Sequence, residues 1–142
     1  MKTVLLALIL FLACPLPVAA LDLCIAAMTD DETIVGSWFL TTTTVTRRSD
    51  GRLLVDLQGT HLDGLWAASG TLALAADGTE AHLGIAQFPN ADEPCLLQVG
   101  GTIQAETFSG PGQVILIEAD AQGLFTTRSL LVTLILTFCG VP

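Results

Sequence analysis

The sequence predicts an all-β fold, an antiparallel meander of seven or eight short strands forming a small barrel or sandwich. Three observations carry this expectation. Apolar and polar residues alternate with a period of two over much of the chain after residue 33, as half-buried strands require. Turn-forming groups interrupt that alternation at short, fairly even intervals. No interior stretch carries the longer apolar period of a helix.

The turn signals are Ser49-Asp50-Gly51, Asp63-Gly64, Asp77-Gly78, the segment 89–92, Ser109-Gly110-Pro111-Gly112 and Gln122-Gly123. Asp-Gly supplies the positive φ that tight hairpins demand. The strands expected between them span 34–47, 52–61, 65–75, 79–88, 95–107, 113–119 and 124–138. Leu53, Val55 and Leu57 share one face, with Asp56 and Gln58 on the other. Ala81, Leu83 and Ile85 oppose Glu80, His82 and Gly84, and Leu97, Val99 and Ile103 oppose Gln98, Thr102 and Gln104. The last strand is apolar on both faces, with Leu131 and Ile135 set among threonines, and is expected to be covered on both sides or to lie at the centre of the sheet. A hairpin at Gly100-Gly101 would give eight strands; a straight run through it, seven.

The segment before these strands divides in two. Residues 1–20 have the pattern of a signal peptide: Lys2, an uncharged apolar run from Val4 to Leu12, helix-breaking Pro15 and Pro17, and small residues ending at Ala20. The run is too short for a membrane-spanning helix, which needs roughly 20 residues. Phe11-Leu12-Ala13-Cys14 also resembles a bacterial lipobox, and lipidation at Cys14 would tether the protein to a membrane. Residues 21–33 are expected to be an N-terminal extension holding at most one short helical turn, capped by Thr29 or Asp30. The β domain then spans 34–142.

Charge narrows the partners. The whole chain has a formal net charge of −9. After residue 20 the only basic residues are Arg47, Arg48, Arg52 and Arg128, against 14 acidic ones, so that part carries 4 − 14 = −10. Such a chain repels phosphate backbones and anionic lipid surfaces, which argues against nucleic-acid partners. A transmembrane barrel is disfavoured by Asp56, Gln58, Glu80 and Gln104 at mid-strand and by missing aromatic girdles. Partners remain a small apolar ligand or another protein, with secretion or periplasmic export as the destination.

Three cysteines follow the leader: Cys24, Cys95 and Cys139. Export permits disulfides, and an odd count leaves one thiol over. Cys24 precedes the first expected strand and Cys139 ends the last. A closed meander with an even strand number brings those ends together, favouring a Cys24–Cys139 bridge with Cys95 free or in an alternative pairing. No zinc spacing and no Cys-x-x-Cys motif occurs.

Chemistry-bearing residues are sparse. His61, two residues before Asp63, and His82, on the face of Glu80, are each half of an acid–base pair at most. No Gly-x-Ser-x-Gly elbow exists. Asp30-Asp31-Glu32 and Asp92-Glu93 lack the ligand alternation of a calcium loop. The run Thr41 to Thr44 suits a strand; an ice-binding face would need such ranks on several adjacent strands, and only one shows them. No catalytic residue, metal site or cofactor is expected, and the chain is expected not to be an enzyme.

Gly36-Ser37-Trp38 opens the first expected strand, and a Gly-x-Trp there resembles the calycin barrels, such as lipocalins and avidins. The resemblance covers these residues and the overall topology. It implies a tryptophan plugging one end of a barrel beneath an apolar ligand, often packed under an arginine from late in the chain, for which Arg128 is the sole candidate. The chain lacks the C-terminal helix of lipocalins and the several ligand-side tryptophans of avidins. Trp38, Trp66 and Phe88 are the expected lining of an interior cavity. The alternative is a structural or protein-interaction module, an envelope component or inhibitor, with a solid core.

Overall fold

A computed structural model describes residues 21–62, 66–88 and 95–139. The proposed signal peptide and lipobox, the turn at Asp63-Gly64 and the turn at 89–92 lie outside the described residues.

Eight antiparallel strands form one closed barrel in simple meander order. They are β1 (Asp22–Met28), β2 (Ile34–Arg47), β3 (Leu53–His61), β4 (Ala67–Leu74), β5 (Glu80–Gln87), β6 (Cys95–Gln104), β7 (Ser109–Ala119) and β8 (Phe125–Phe138). Each pairs with its sequence neighbours, and β8 returns to β1 to close the wall. The described part is all-β, and its closed eight-stranded form is compatible with a calycin-like barrel.

Two expectations are corrected. The short helical turn proposed within 21–33 is absent, because Asp22–Met28 form β1. Leu23, Ile25 and Ala27 point inward, and Asp22, Cys24, Ala26 and Met28 lie on the other face. The eighth strand is therefore this one, while β6 runs straight through Gly100-Gly101. The second correction is at 109–112, expected as a turn. Ser109 already belongs to β7, and the turn lies just before it, where Phe108 adopts a φ of 53°.

Connections alternate between two ends. The β1–β2, β3–β4, β5–β6 and β7–β8 connections lie at one end, the upper end below. The other connections and the β1/β8 closure lie at the lower end. Three hairpins share one loop geometry. Gly51, Gly78 and Gly123 hold φ values of 85°, 72° and 79°, and their N–H groups donate to the carbonyls of Arg48, Ala75 and Asp120. An aspartate rigidifies each loop: Asp77 Oδ1 accepts from the Thr79 N–H at 3.1 Å and its hydroxyl at 2.8 Å, bonds that hold the Asp77 carboxyl below its usual range.

The β1–β2 loop repeats this geometry without glycine. Glu32 N–H donates to the Thr29 carbonyl, and Glu32 sits at φ 65°. Left-handed backbone costs a side-chain-bearing residue about 1–2 kcal/mol, part of which glycine returns as chain entropy. Glu32→Gly is therefore expected to stabilise the fold by about 0.5–1 kcal/mol. A urea-unfolding midpoint that moves upward checks it; a downward shift would mean that the Glu32 side chain contributes more than the backbone loses.

The interior is filled by the inward-facing alternation. Leu23, Ile25, Leu40, Leu57, Leu72, Leu74, Ile103, Leu134 and Leu136 are all essentially inaccessible. Facing positions alternate large with absent side chains, as small barrels require. Leu134 lies where Cβ atoms on Gly101 and Gly112 would stand, with its Cδ1 2.7 Å from either position. The opposite faces carry Asp56, Gln58, Thr71, His82, Gln98 and Gln104, so the wall is apolar within and polar without.

Candidate functional site: the two ends and the outer wall of the barrel

Trp38 projects inward from β2, opposite Ile25 of β1 and His61 of β3. Its exposure is 1%. The indole folds back over Gly36, where an added Cβ would stand 2.4 Å from the ring. The Gly-x-Trp sequence thus has a local cause: only glycine leaves room for a large ring lying along its own strand. The indole N–H donates to Gln87 Oε1 on β5 at 2.9 Å, and the His61 ring meets it edge-on at 5.9 Å. Trp38 therefore spans the upper interior from β2 to β5. Phe108, from the turn between β6 and β7, is buried near the lower end.

The three residues expected to line a cavity are all at the upper end, at different depths. Trp38 is in the core, Trp66 is half-buried at the start of β4, and Phe88 is 48% exposed just past β5. Phe88 N–H donates to the carbonyl of Ala67, next to Trp66. Arg128 does not reach Trp38. It stands on the β7–β8 hairpin, largely exposed, and donates to Glu118 Oε2 at 3.0 Å. The arginine–tryptophan packing implied by the calycin resemblance is thereby corrected: β8 begins well above the point where it meets β1, which carries Arg128 beyond the core.

The histidines stand apart. His61 Nε2 accepts from the Ser37 N–H at 3.4 Å beside Trp38, whereas His82 contacts the Thr102 hydroxyl at 3.2 Å and Glu80 at 3.7 Å on the outer wall. Asp31 accepts from the Thr29 hydroxyl and the Thr33 N–H, bonds that hold its carboxyl below the usual range. Its oxygens thus organise the β1–β2 turn. Among the described residues, no group of three His, Cys, Asp or Glu side chains is arranged to hold a metal ion. Asp92-Glu93 lies outside them.

The threonine run is split between faces. Thr42 is buried, Thr41 bonds Asp22 at 2.8 Å, and Thr44 bonds Asp56 at 2.5 Å. A register shift between Thr42 and Thr44 changes the phase of β2, so the run does not form one flat rank.

Two features remain that the sequence pattern did not reveal. An open groove of about 810 Å³ crosses the outer wall, with Ser69, Gly84, Ala86 and Gly100 in its lining beside Gln58 and Gln98. It lies outside the barrel and carries no aromatic platform among its lining residues. The second feature is an apolar rim at the upper end. Ile34, Val35, Leu62, Phe88, Leu124 and Phe125 are all exposed there, though they come from four separate connections. That they share one end is invisible to a one-dimensional pattern, because they appear singly or in pairs beside separate turns.

Cys24 and Cys139 form a disulfide with a Cα–Cα distance of 5.4 Å, joining β1 to the end of β8. This is consistent with an extracellular or periplasmic protein. No family model, no curated protein and no solved structure matches the chain.

Proposed function

We propose that this protein is an exported, non-enzymatic interaction module, working through the surface of its upper end and not through an internal ligand. One observation carries the reading: Trp38 and Phe108 are buried near opposite ends of an interior lined by leucine, isoleucine and valine, while exposed apolar side chains stand on all four connections of the upper end. An eight-stranded barrel is only wide enough either to fill with side chains or to hold one small ligand, and the deep burial of the inward leucines and isoleucines supports the first reading. Exposed apolar side chains concentrated at one end of a barrel are what supports reading that end as a docking surface. The disulfide and the leader-like residues 1–20 support export.

The rival is the lipocalin- or avidin-like reading, in which an apolar ligand sits above Trp38. Its support is Gly36-Ser37-Trp38 and the barrel topology. Titration with N-phenyl-1-naphthylamine separates the two. In Trp66→Phe the sole remaining tryptophan is Trp38, so its emission reports the interior. The expected result is no saturable uptake and no change in Trp38 emission. Uptake of one probe per chain with quenching of Trp38 would overturn the proposal in favour of ligand carriage.

A further inference from the structure

The β7–β8 hairpin rises above the barrel. β1 pairs with β8 only from Thr133 to Phe138, whereas β7 pairs with β8 down to Phe125. Among the described residues, no strand pairs with 125–132 on the side away from β7. The Leu136 N–H points toward the β7 side, donating to Phe108. Backbone groups alternate in direction along a strand. Phe125, Thr127, Ser129 and Leu131 therefore turn their N–H and C=O groups to the free edge. Natural edges of this kind are protected by charge, proline or bulges. This one carries Arg128 alone, and that side chain is neutralised by Glu118. Every one of the chain's 14 acidic residues precedes residue 121. Phe125 and Leu131, at 74% and 78%, are the most exposed large apolar side chains described, and they stand on the same face of this strand.

We propose that the free edge of β8 pairs antiparallel with the same edge of a second copy, about a two-fold axis at Arg128. In that register Phe125 stands opposite the second copy's Leu131, and Thr127 opposite its Ser129. All four residues then exchange their edge-facing N–H and C=O groups, which a shift by two residues in either direction would not achieve. The apolar side chains meet on one face. On the other face the two Arg128–Glu118 pairs adjoin, a cluster without net charge. Charge favours this place over others: with a net charge of −9, two copies repel least where each presents a strand free of acid. The inference rests on reading the chain as an interaction module and names its partner.

Sedimentation equilibrium of the protein with its disulfide intact, at about 100 μM, where a micromolar interface is largely occupied, is expected to give twice the chain mass, falling toward one on dilution. Ser129→Pro removes an N–H that the barrel itself does not use, and Leu131→Glu places a charge in the paired face. Both are expected to give a single-chain mass with unchanged circular dichroism; should the proline variant misfold, Leu131→Glu decides alone. A wild-type protein of single-chain mass at that concentration, or a dimer that survives Leu131→Glu, would overturn the proposal. A monomer that takes up no naphthylamine probe refutes the second copy only, whereas interior uptake refutes the module reading itself.

Discussion

Trp38→Ala is expected to lower the free energy of unfolding by about 3–5 kcal/mol, among the largest effects of any single substitution in this chain. Three losses combine. The indole is 1% exposed, so truncation discards its whole apolar burial and leaves a void. The void cannot easily collapse, because the position beneath the ring is Gly36, whose missing side chain has nothing to move inward. Gln87, half-buried at the end of β5, also loses the N–H donor to its Oε1 at 2.9 Å, a bond that contributes about 0.5–1.5 kcal/mol net. Urea unfolding followed by circular dichroism measures the total, and Trp38→Phe is expected to recover part of it by refilling the space without the donor. A loss under about 1 kcal/mol would mean a loosely packed upper interior, contrary to the solid core on which the proposed function rests.

The second large effect concerns the seam of the barrel. Seven of the eight ladders join strands that follow one another in sequence and are held together by their own short connections; only β1 with β8 joins the two ends of the chain. The Cys24–Cys139 bridge crosses that seam with a sequence separation of 115. Closing so long a loop restricts the unfolded ensemble by about 4–5 kcal/mol in the chain-entropy account. The double variant Cys24→Ala/Cys139→Ala is expected to lose stability on that order. Hydrogen exchange is expected to accelerate first at residues 23–28 and 133–138, the two sides of the seam. The double substitution matters, since a single one would leave a partner thiol able to pair with Cys95. A loss below about 1 kcal/mol, with no preferential exchange at the seam, would show that backbone pairing alone holds the barrel shut.

Closure bears on the proposed assembly as well. A perfectly matched barrel has no edges, yet β8 is longer than its partner on one side. The surplus stands above the rim as a strand with one unpaired edge, next to the apolar side chains of the upper end. The feature that seals the fold at the lower end and the feature proposed to recruit a second copy at the upper end are therefore the two halves of one strand.

Much of this architecture was legible in the chain. Alternation across Leu53-Leu54-Val55-Asp56-Leu57 and across 80–87 states locally which side chains turn inward, because a strand presents successive residues to opposite faces wherever it lies. The Asp-Gly pairs at 50–51 and 77–78 mark hairpins for an equally local reason, the positive φ that glycine adopts freely. The expected Cys24–Cys139 pair follows from their places at the ends of a closing meander. β1 was missed because Cys24 sits between Leu23 and Ile25 and alanine fills both faces at 26–27, which blurs the contrast between inside and outside.

What the sequence determined by itself is the inward or outward assignment of side chains on β3, β5 and β6, where apolar and polar residues alternate, and the hairpin order of β2 to β8. The tertiary structure alone decided how far each strand overshoots its neighbour: where β1 stops against β8, how Trp38 lies across Gly36 to reach Gln87, and which exposed apolar residues share the upper end. The reason is one of range. Facing depends on the pleat of a few successive peptides, whereas stagger is a property of the closed circuit, in which every strand's register constrains all the others.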